Sequence, residues 1–182
     1  MFARTPRLLL RPGWLEDAPA LAAAIGDEAT VRKLARVPWP YGIEDARRFL
    51  TQEPGPLPNF LIFLREDGGP SLVGGIGLHR DEQGEAELGY WIAAPHRNRG
   101  YATEAGRAVV EIAHAGLKMR RIVSGHYLDN PASGRVLRKL GFRPTGRVRE
   151  RHSLARGQTA SCALFEREDN PDAGVAMRPL AA

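Results

Sequence analysis

The sequence predicts an α+β domain with one mixed sheet. Amphipathic helical patterns fill its first third, apolar alternation broken by glycine-rich turns fills the middle, and strands alternate with helices in the last third. The composition is that of a globular domain, because 43% of the 182 residues are hydrophobic and 26% are charged. We therefore predict one domain over 1–169 and a loosely ordered tail over 170–182.

The N-terminal third predicts one strand and three helices. Apolar residues recur at helical spacing over 14–26, and Gly26 marks the end of that helix. Prolines exclude regular structure over 37–42. The predicted elements are a strand over 7–11 and helices over 14–26, 28–36 and 43–52.

The rest of the chain predicts six strands and two helices. Asp67-Gly68-Gly69 separates two apolar runs and indicates a hairpin turn. The predicted elements are strands over 59–66, 71–79, 85–93, 120–128, 142–152 and 158–167 and helices over 101–116 and 131–139. The resulting order, β-α-α-α-β-β-β-α-β-α-β-β, is typical of an α+β domain.

Composition narrows the classes of function. No apolar run approaches the roughly 20 residues that span a bilayer, and Arg11 and Pro12 interrupt the N-terminal apolar patch, so we predict neither a membrane partner nor a secretory signal. The single cysteine, Cys162, predicts no disulfide and no cysteine metal cluster, and we expect it to be packed in the core. A cytoplasmic protein without a metal site is the expectation. The net charge of +5 is spread along the chain, and a polyanionic small ligand explains it as well as a nucleic acid, which we do not expect as a partner.

The segment 94–105 carries the strongest chemical signal. It follows a predicted strand and opens a predicted helix, and Gly100 and Ala102 would let a ligand approach the main chain closely. Free N–H groups at a helix start bind phosphate, helped by the helix dipole, and Arg97 and Arg99 add positive charge. The segment matches neither a Walker A loop nor a dinucleotide fingerprint. A plain strand-to-helix turn containing a glycine is the alternative.

This loop resembles the acetyl-CoA pyrophosphate loop of the GNAT acetyltransferases, Gln/Arg-x-x-Gly-x-Gly/Ala, through Arg97, Gly100 and Ala102. Other similar segments stand in the same order: ELGYWI before the loop, GYATEA within it, and DNPAS and VLRKLGF some thirty residues later. This combination is similar to the branch that contains the RimJ and RimL ribosomal-protein N-terminal acetyltransferases, as are the early segments LRPGWLEDAPAL and VPWPYGIEDARRFL. The resemblance covers about residues 7–167.

The resemblance implies a GNAT fold, in which a single mixed, mostly antiparallel sheet is splayed at its centre and carries helices on both faces. It implies acetyl-CoA as the co-substrate, with its pantetheine arm in the split of the sheet. Asn130 and Ser133 occupy the family positions beside the arm. The main chain of Trp91, Ile92 and Ala93 is expected to meet the arm, and the pyrophosphate loop is expected to comprise Arg97, Asn98, Arg99, Gly100, Tyr101, Ala102 and Thr103.

Acetyl transfer to an amine needs a neutral amine, a polarised carbonyl and a proton for the leaving thiolate. The resemblance makes Glu87 the candidate base; a solvated or ion-paired strand carboxylate is the alternative. It makes Ser133 the candidate acid; the alternative is a hydroxyl that satisfies main-chain donors at a helix start.

The acceptor side is less defined. Trp39 and Tyr41 lie where this branch places its acceptor-binding loop, with core packing as the alternative. His126 and Tyr127 alternate on a predicted strand, so only one of them can face the cleft, and His126 is a candidate for assisting the amine. The resemblance implies an N-acetyltransferase for a primary amine, which is a protein N-terminal α-amine, an amino acid or another small amine. A catalytically silent acyl-CoA-binding module and a basic nucleic-acid-binding domain are the alternatives, and a homodimer is left open.

Overall fold

The computed structural model describes residues 1–66 and 68–168, and in this part of the chain eight strands form one sheet. The predicted α+β class is confirmed. The predicted tail over 170–182 and Asp67 of the predicted turn lie outside the described residues.

Every predicted strand and helix is present within a few residues of its expected bounds, except for one helix, and a two-residue strand at the N-terminus was not predicted. The strands are β1 (Ala3–Arg4), β2 (Leu8–Arg11), β3 (Asn59–Leu64), β4 (Ser71–Arg80), β5 (Ala86–Ile92), β6 (Arg121–Tyr127), β7 (Arg143–Ser153) and β8 (Gln158–Glu168). The helices are α1 (Ala18–Ile25), α2 (Glu28–Val31), α3 (Ile43–Leu50), α4 (Tyr101–Glu111) and α5 (Pro131–Lys139), with short 3-10 turns at Leu15–Asp17 and Ala94–His96.

The sheet is split at its centre. Its strands lie in the order β1-β2-β3-β4-β5-β6-β8-β7, and all neighbours are antiparallel except β5 and β6. This parallel pair shares a single paired position, Glu87 with Val123, near the start of both strands. Beyond it β5 pairs only with β4 and β6 only with β8. The gap therefore opens toward the carboxyl ends of the two strands.

Helices cover both faces of the sheet, because consecutive residues of the central strands β3 and β4 are buried and point to opposite faces. The face that packs against α4 and α5 carries the larger core, which includes Leu10, Ile62, Ile76, Leu88, Val109, Ile122, Leu137 and Phe165. The opposite face packs against α1 and α3 through a smaller cluster formed by Ala18, Leu21, Ala46, Leu61 and Phe63.

The helix predicted over 28–36 is wrong beyond its first turn. After α2 the main-chain carbonyls turn to the β7–β8 connection instead of continuing a helix. The Ser153 hydroxyl donates to the carbonyl of Leu34 at 2.9 Å, and the N–H of Leu154 donates to the carbonyl of Ala35 at 3.0 Å. These long-range bonds replace the local bonds that helix propensity favours.

The helix predicted over 101–116 ends in a wider turn. Regular α-helix stops at Glu111, and Ile112–Gly116 forms a π-helical turn. A ring nitrogen of His114 donates to the carbonyl of Met119 at 2.7 Å, which holds this turn against the approach to β6.

Candidate functional site

A cleft of about 1580 Å³ runs through the split between β5 and β6. Its lining includes the start of α4 and α5 on one face of the sheet, and strands β4, β5 and β7 on the other. Because β5 and β6 diverge, the cleft connects the two faces through the sheet. A long ligand can therefore thread the split and end beside a second ligand on the α1–α3 face.

The turn before α4 leaves main-chain donors free. Asn98 (φ 60°) and Gly100 (φ 83°) both lie in the left-handed region, which glycine adopts at little cost. Bonding inside α4 starts where the N–H of Glu104 donates to the carbonyl of Gly100 at 3.0 Å. The N–H groups of residues 101–103 are consequently not used by the helix. The Tyr101 ring is 7% exposed and packs in the core, so this residue can offer a ligand only its main chain.

Arg97 was expected to add positive charge beside the loop, and the structure gives it further contacts. Its guanidinium donates to the hydroxyl of Thr30 and lies 3.5 Å from the carboxylate of Asp27. Its Nε donates to the carbonyl of Ile92 at 3.3 Å. Arg97 thus ties the loop to α2 and to the end of β5, and it shares its charge with Asp27.

Arg7 brings a positive charge to the loop that the sequence did not indicate. Its Nη1 donates to the carbonyl of Arg99 at 3.0 Å, and its Nε donates to Glu104 at 2.7 Å. The guanidinium lies 4.7 Å from the centroid of the Tyr101 ring. A Cβ built at Gly100 would lie 3.4 Å from Arg7 Nη2. Arg7 therefore packs directly against the glycine of the loop.

At the end of β5, only some of the main-chain groups that were predicted to meet the arm face the gap. The N–H of Ala93 donates to the carbonyl of Val73 on β4 at 2.9 Å, so that donor is occupied. Main-chain groups of alternate residues face the same neighbouring strand, which places those of Trp91 toward β4 and those of Ile92 toward the gap. The structure thus favours Ile92 for a main-chain contact in the split.

Ser133 lies in the first turn of α5, beside a tyrosine from β5. Its hydroxyl is 2.7 Å from the hydroxyl of Tyr90, which also donates to the Ser133 carbonyl at 3.0 Å. Burial raises the pKa of Tyr90 to about 12, against the opposing effect of the Ser133 hydrogen bond. Asn130 precedes α5, and its side chain does not cap the helix. The split is therefore flanked by two neutral hydroxyls that share a hydrogen bond.

Glu87 is buried and ion-paired on the α1–α3 face. Its Oε1 lies 2.5 Å from Arg151 Nη1, and its Oε2 lies 3.1 Å from both Arg151 Nη2 and His79 Nε2. Burial by itself raises the pKa of Glu87, but the hydrogen bonds from His79 and Arg151 and the charge of Arg151 lower it to about 2. Of the two readings of this residue, an ion-paired strand carboxylate describes its contacts, and a base role is weakened by the low pKa.

Three glycines let side chains lie flat on this face. A Cβ built at Gly75 would lie 2.5 Å from the Trp91 indole nitrogen, and one built at Gly77 would lie 2.8 Å from Oδ1 of Asn59. Gly89 faces Gly77 across the β4–β5 pair. The three glycines form a floor, and Trp91 and Asn59 lie on parts of it.

The remaining predicted acceptor residues are separated by the fold. Tyr41 is half-buried and lines the cleft, and burial raises its pKa to about 12, with a further contribution from Asp45. Trp39 is 39% exposed and is not part of the lining. His126 also lines the cleft, but it packs on Gly134 of α5 and lies 5.4 Å from the Phe165 ring, on the sheet face opposite Glu87.

Sequence reasoning missed Arg7, Tyr90, His79 and Arg151. His79 and Glu87 lie two residues on either side of the Asp81–Glu85 turn, so a hairpin register could have paired them. Tyr90 lies in the quoted ELGYWI segment, but its partner Ser133 is 43 residues away. Arg151 lies 64 residues from Glu87, and no local signal joins them.

Among residues 1–66 and 68–168, no group of three or more His, Cys, Asp or Glu side chains could hold a metal ion. None of the helices in these residues has the length and hydropathy of a membrane span. Cys162 is buried, as predicted, and burial raises the pKa of its thiol.

The split sheet, the free N–H groups at the start of α4 and the cleft that joins both faces define a class of protein, one that can hold an extended, phosphate-bearing ligand in its sheet beside a second ligand. Comparison with known proteins specifies the family. The model of the acetyltransferase (GNAT) domain matches residues 7–143. The chain belongs to the GNAT acetyltransferase family.

Two relatives illustrate the sequence similarity. The uncharacterized N-acetyltransferase YoaA of Bacillus subtilis is 30% identical over 158 residues, which are 80% of this chain and 85% of that protein. The ribosomal-protein-serine acetyltransferase of Escherichia coli is 29% identical over 114 residues, which are 57% of this chain and 62% of that protein.

Two solved structures share the fold. A GNAT-family acetyltransferase from Bacillus anthracis superposes with a TM-score of 0.79 and 25% identity, covering 92% of this chain and 98% of that one. The self-immunity acetyltransferase MccE, solved with acetyl-CoA and AMP, superposes with a TM-score of 0.76 and 19% identity, covering 91% of this chain and 94% of that one.

The chain is therefore an acetyltransferase that uses acetyl-CoA, as the family does. The residues present fit this co-substrate. The N–H groups of 101–103 are free for its phosphates, and the gap beside Ile92 and Ser133 has the shape that an extended arm requires. The acetyl thioester supplies the activated carbonyl of the reaction.

Proposed function

We propose that this chain is a RimJ/RimL-like enzyme that acetylates the α-amine at the N-terminus of a protein. The observation that carries the proposal is the continuity of the cleft, which passes through the split and stays open on the α1–α3 face. An acceptor with a chain behind its amine can enter from that face and reach the split. The similarity to a relative named for a ribosomal-protein serine supports the same acceptor class.

The proposed acceptor surface suits a peptide main chain. The glycine floor is flat, and it is bordered by the Trp91 indole and the side-chain amide of Asn59, which can both donate to and accept from a peptide group. Tyr41 adds an aromatic wall in the proposed acceptor site. Trp39 stays a proposed contact only for the outer part of a longer acceptor, because it lies outside the lining.

Charge around the acceptor side favours an acidic acceptor. Basic side chains outnumber acidic ones in the cleft lining, where Lys33, Arg36, Arg149 and five other basic residues face Glu53, Asp81, Glu82 and Glu87. The Glu82 carboxylate is 3.7 Å from Arg149 and largely exposed. The carboxylate of Glu87 is already neutralised by Arg151. A polycationic amine would meet repulsion here, whereas acidic side chains next to the amine would be attracted.

Proposed roles follow from the placements. The loop residues from Asn98 to Thr103, with Arg97 and Arg99 beside them, hold the donor phosphates, and Ile92, Asn130 and Ser133 flank its arm; Trp91 and Ala93 complete the strand edge. Glu87 assists the deprotonation of the amine as an ion-paired carboxylate. His126 packs against α5 beside the split. Ser133, hydrogen-bonded to Tyr90, gives its proton to the leaving thiolate as the carbon–nitrogen bond forms and the carbon–sulfur bond breaks.

The acceptor class is tested by coenzyme A release from matched amines. The set contains an acidic peptide with a free N-terminus, the same peptide with glutamines for its acidic residues, its N-terminally blocked form, free amino acids and a polycationic antibiotic. We expect kcat/KM for the acidic peptide to exceed that of its glutamine form by about tenfold and to fall as salt rises. A small or polycationic amine that outperforms both free peptides would contradict the proposal.

The hydroxyl pair is tested in the same assay. We expect Ser133→Ala and Tyr90→Phe each to lower kcat by about tenfold or more, because the proton for the thiolate is lost or misplaced. Thr145→Val is the control, since it removes a hydroxyl that donates to a carbonyl, that of Leu164, at 3.1 Å and outside the cleft lining. Full activity of Ser133→Ala would assign that hydroxyl a structural role.

A further inference from the structure

The contacts of Glu87 argue that another residue accepts the proton in the reaction. Both carboxylate oxygens of Glu87 are engaged, by two nitrogens of Arg151 and by one of His79. Its side chain is 6% exposed, so an amine has little access to it. A carboxylate that is buried and bidentately paired accepts a further proton poorly.

His79 lines the cleft beside this carboxylate and is the more exposed of the two side chains. It is the direct cross-strand partner of Glu87, and its side chain is 32% exposed. An ionised carboxylate only accepts hydrogen bonds, so Nε2 of His79 carries the proton in their 3.1 Å contact. In the neutral imidazole, Nδ1 then has the free lone pair.

The free edge of the ring lies over the glycine floor. A Cβ built at Gly89 would lie 3.5 Å from Cε1 and 3.8 Å from Nδ1 of His79. Any side chain at this position would press against that edge and occupy the floor in front of it. Gly89 is followed by Tyr90, whose hydroxyl reaches Ser133. Gly89 and Tyr90 are consecutive residues of β5, so the His79 ring edge and the Ser133 hydroxyl approach this strand from its two opposite faces, and both residues line the cleft.

We propose, on the basis of the function proposed above, that Nδ1 of His79 takes the proton from the acceptor amine, and that Glu87 and Arg151 are positioning residues that hold the ring. As the amine nitrogen bonds to the acetyl carbon, one of its protons moves to Nδ1 and the carbon–sulfur bond breaks. The thiolate takes its proton from Ser133. The imidazolium then returns the extra proton to solvent, and the hydroxyl is reprotonated from solvent.

The other histidine considered for this role is placed differently. Nδ1 of His126 lies 2.8 Å from the carbonyl of Tyr127, and its Nε2 lies against Gly134 of α5. Its ring is thus held on the opposite face of the sheet, and no carboxylate is within hydrogen-bond distance of it in residues 1–66 and 68–168.

Chemical rescue tests the assignment. We expect His79→Ala to lower kcat with a saturating acceptor by about 100-fold or more, with little change in KM for acetyl-CoA. Added imidazole should restore at least a tenth of the lost turnover, because the cavity left by the ring can admit it. Ser133→Ala is the matched control, a variant with lowered turnover that imidazole should not rescue. Glu87→Gln should lower kcat less than His79→Ala, because the ring remains but is held less firmly.

Three results are decisive. A His79→Ala variant that keeps kcat within threefold, or one that is equally impaired with and without imidazole, overturns the assignment. A Glu87→Gln variant that loses more turnover than His79→Ala returns the base role to Glu87. If His79→Ala does not fold, His79→Asn keeps a smaller polar side chain at this position, and its kcat is compared with those of the wild type and Glu87→Gln by the same criteria. Failure of the proposed function is distinguishable, because the wild-type protein would then release no coenzyme A with any peptide.

Discussion

Glu87 combines structural and functional effects at the scale of one residue. Its carboxylate joins three strands, since it sits on β5, Arg151 lies on β7 and His79 lies on β4. Buried ion pairs cost desolvation, and losing one partner leaves an uncompensated charge. The low pKa of Glu87 therefore makes folding stability depend on pH.

The ion pair of Glu87 should make the protein less stable in acid. The pKa of Glu87 is lowered from 4.5 to about 2 on folding, so its contribution is fully present above about pH 4.5 and is lost as the pH falls toward 2. A shift of this size corresponds to about 3 kcal/mol. Urea unfolding should show that wild-type stability falls more steeply than that of Glu87→Gln across this range. The other acidic groups titrate in both proteins, so parallel curves would contradict the ion pair.

At the scale of the element, the start of α4 is built by contacts from distant segments. Arg7 holds the carbonyl of Arg99 and the carboxylate of Glu104, which also accepts from the Thr5 hydroxyl at 2.6 Å. Arg97 holds the other side of the loop against α2. The loop is thus clamped in the conformation that leaves its N–H groups open, before any ligand binds.

Substitution of Gly100 tests this loop. Gly100→Ala forces an alanine into the left-handed region, which costs about 1 kcal/mol, and brings its Cβ against Arg7. We expect a similar loss of unfolding free energy and an increase of about tenfold in the Kd for acetyl-CoA, measured by calorimetry.

Gly84→Ala is the matched control for backbone strain. Gly84 has φ 80°, and a Cβ at this position would meet nothing within 4 Å. It lies in the β4–β5 turn, so it should lose comparable stability and keep the affinity for acetyl-CoA. An equal loss of affinity in both variants would show that the loop is not the binding site.

At the scale of the whole molecule, the split follows from the strand order. β5 and β6 are the one parallel pair among the described strands, and they touch at Glu87 and Val123 and through the Ser124 hydroxyl, which donates to the carbonyl of Leu88 at 2.8 Å. Beyond these contacts β5 stays paired with β4 and β6 stays paired with β8, so the two strands separate. A ligand in the gap would restore contacts between the two halves of the sheet.

Acetyl-CoA should therefore stabilise the whole fold. At a concentration about 100 times its Kd, mass action predicts a gain of about 2.7 kcal/mol in unfolding free energy. Urea unfolding with and without acetyl-CoA measures this gain. Acetyl-pantetheine lacks the pyrophosphate and is the control, and we expect a clearly smaller gain at the same concentration. Equal gains from both would argue against the role of the loop.

Local sequence determined the elements. Helical spacing, strand alternation and the glycine and proline positions specify neighbours along the chain, and for this reason α5 was predicted over 131–139 and is found at Pro131–Lys139. The loop before α4 could also be predicted from the sequence, because its glycine directly precedes the helix in the chain. The helix over 28–36 failed because bonds from the β7–β8 connection, more than a hundred residues away, compete with the local ones.

Only the tertiary structure decided which side chains meet at the site. Sequence placed Glu87 on a strand and Ser133 at a helix start, but their protonation chemistry depends on Arg151, His79 and Tyr90, which come from other elements. A pKa is set by burial and by charges within a few ångströms, and neither is encoded in local spacing. The sequence by itself determined the fold family and the loop that precedes α4; the packing of distant strands determined the electrostatics around Glu87.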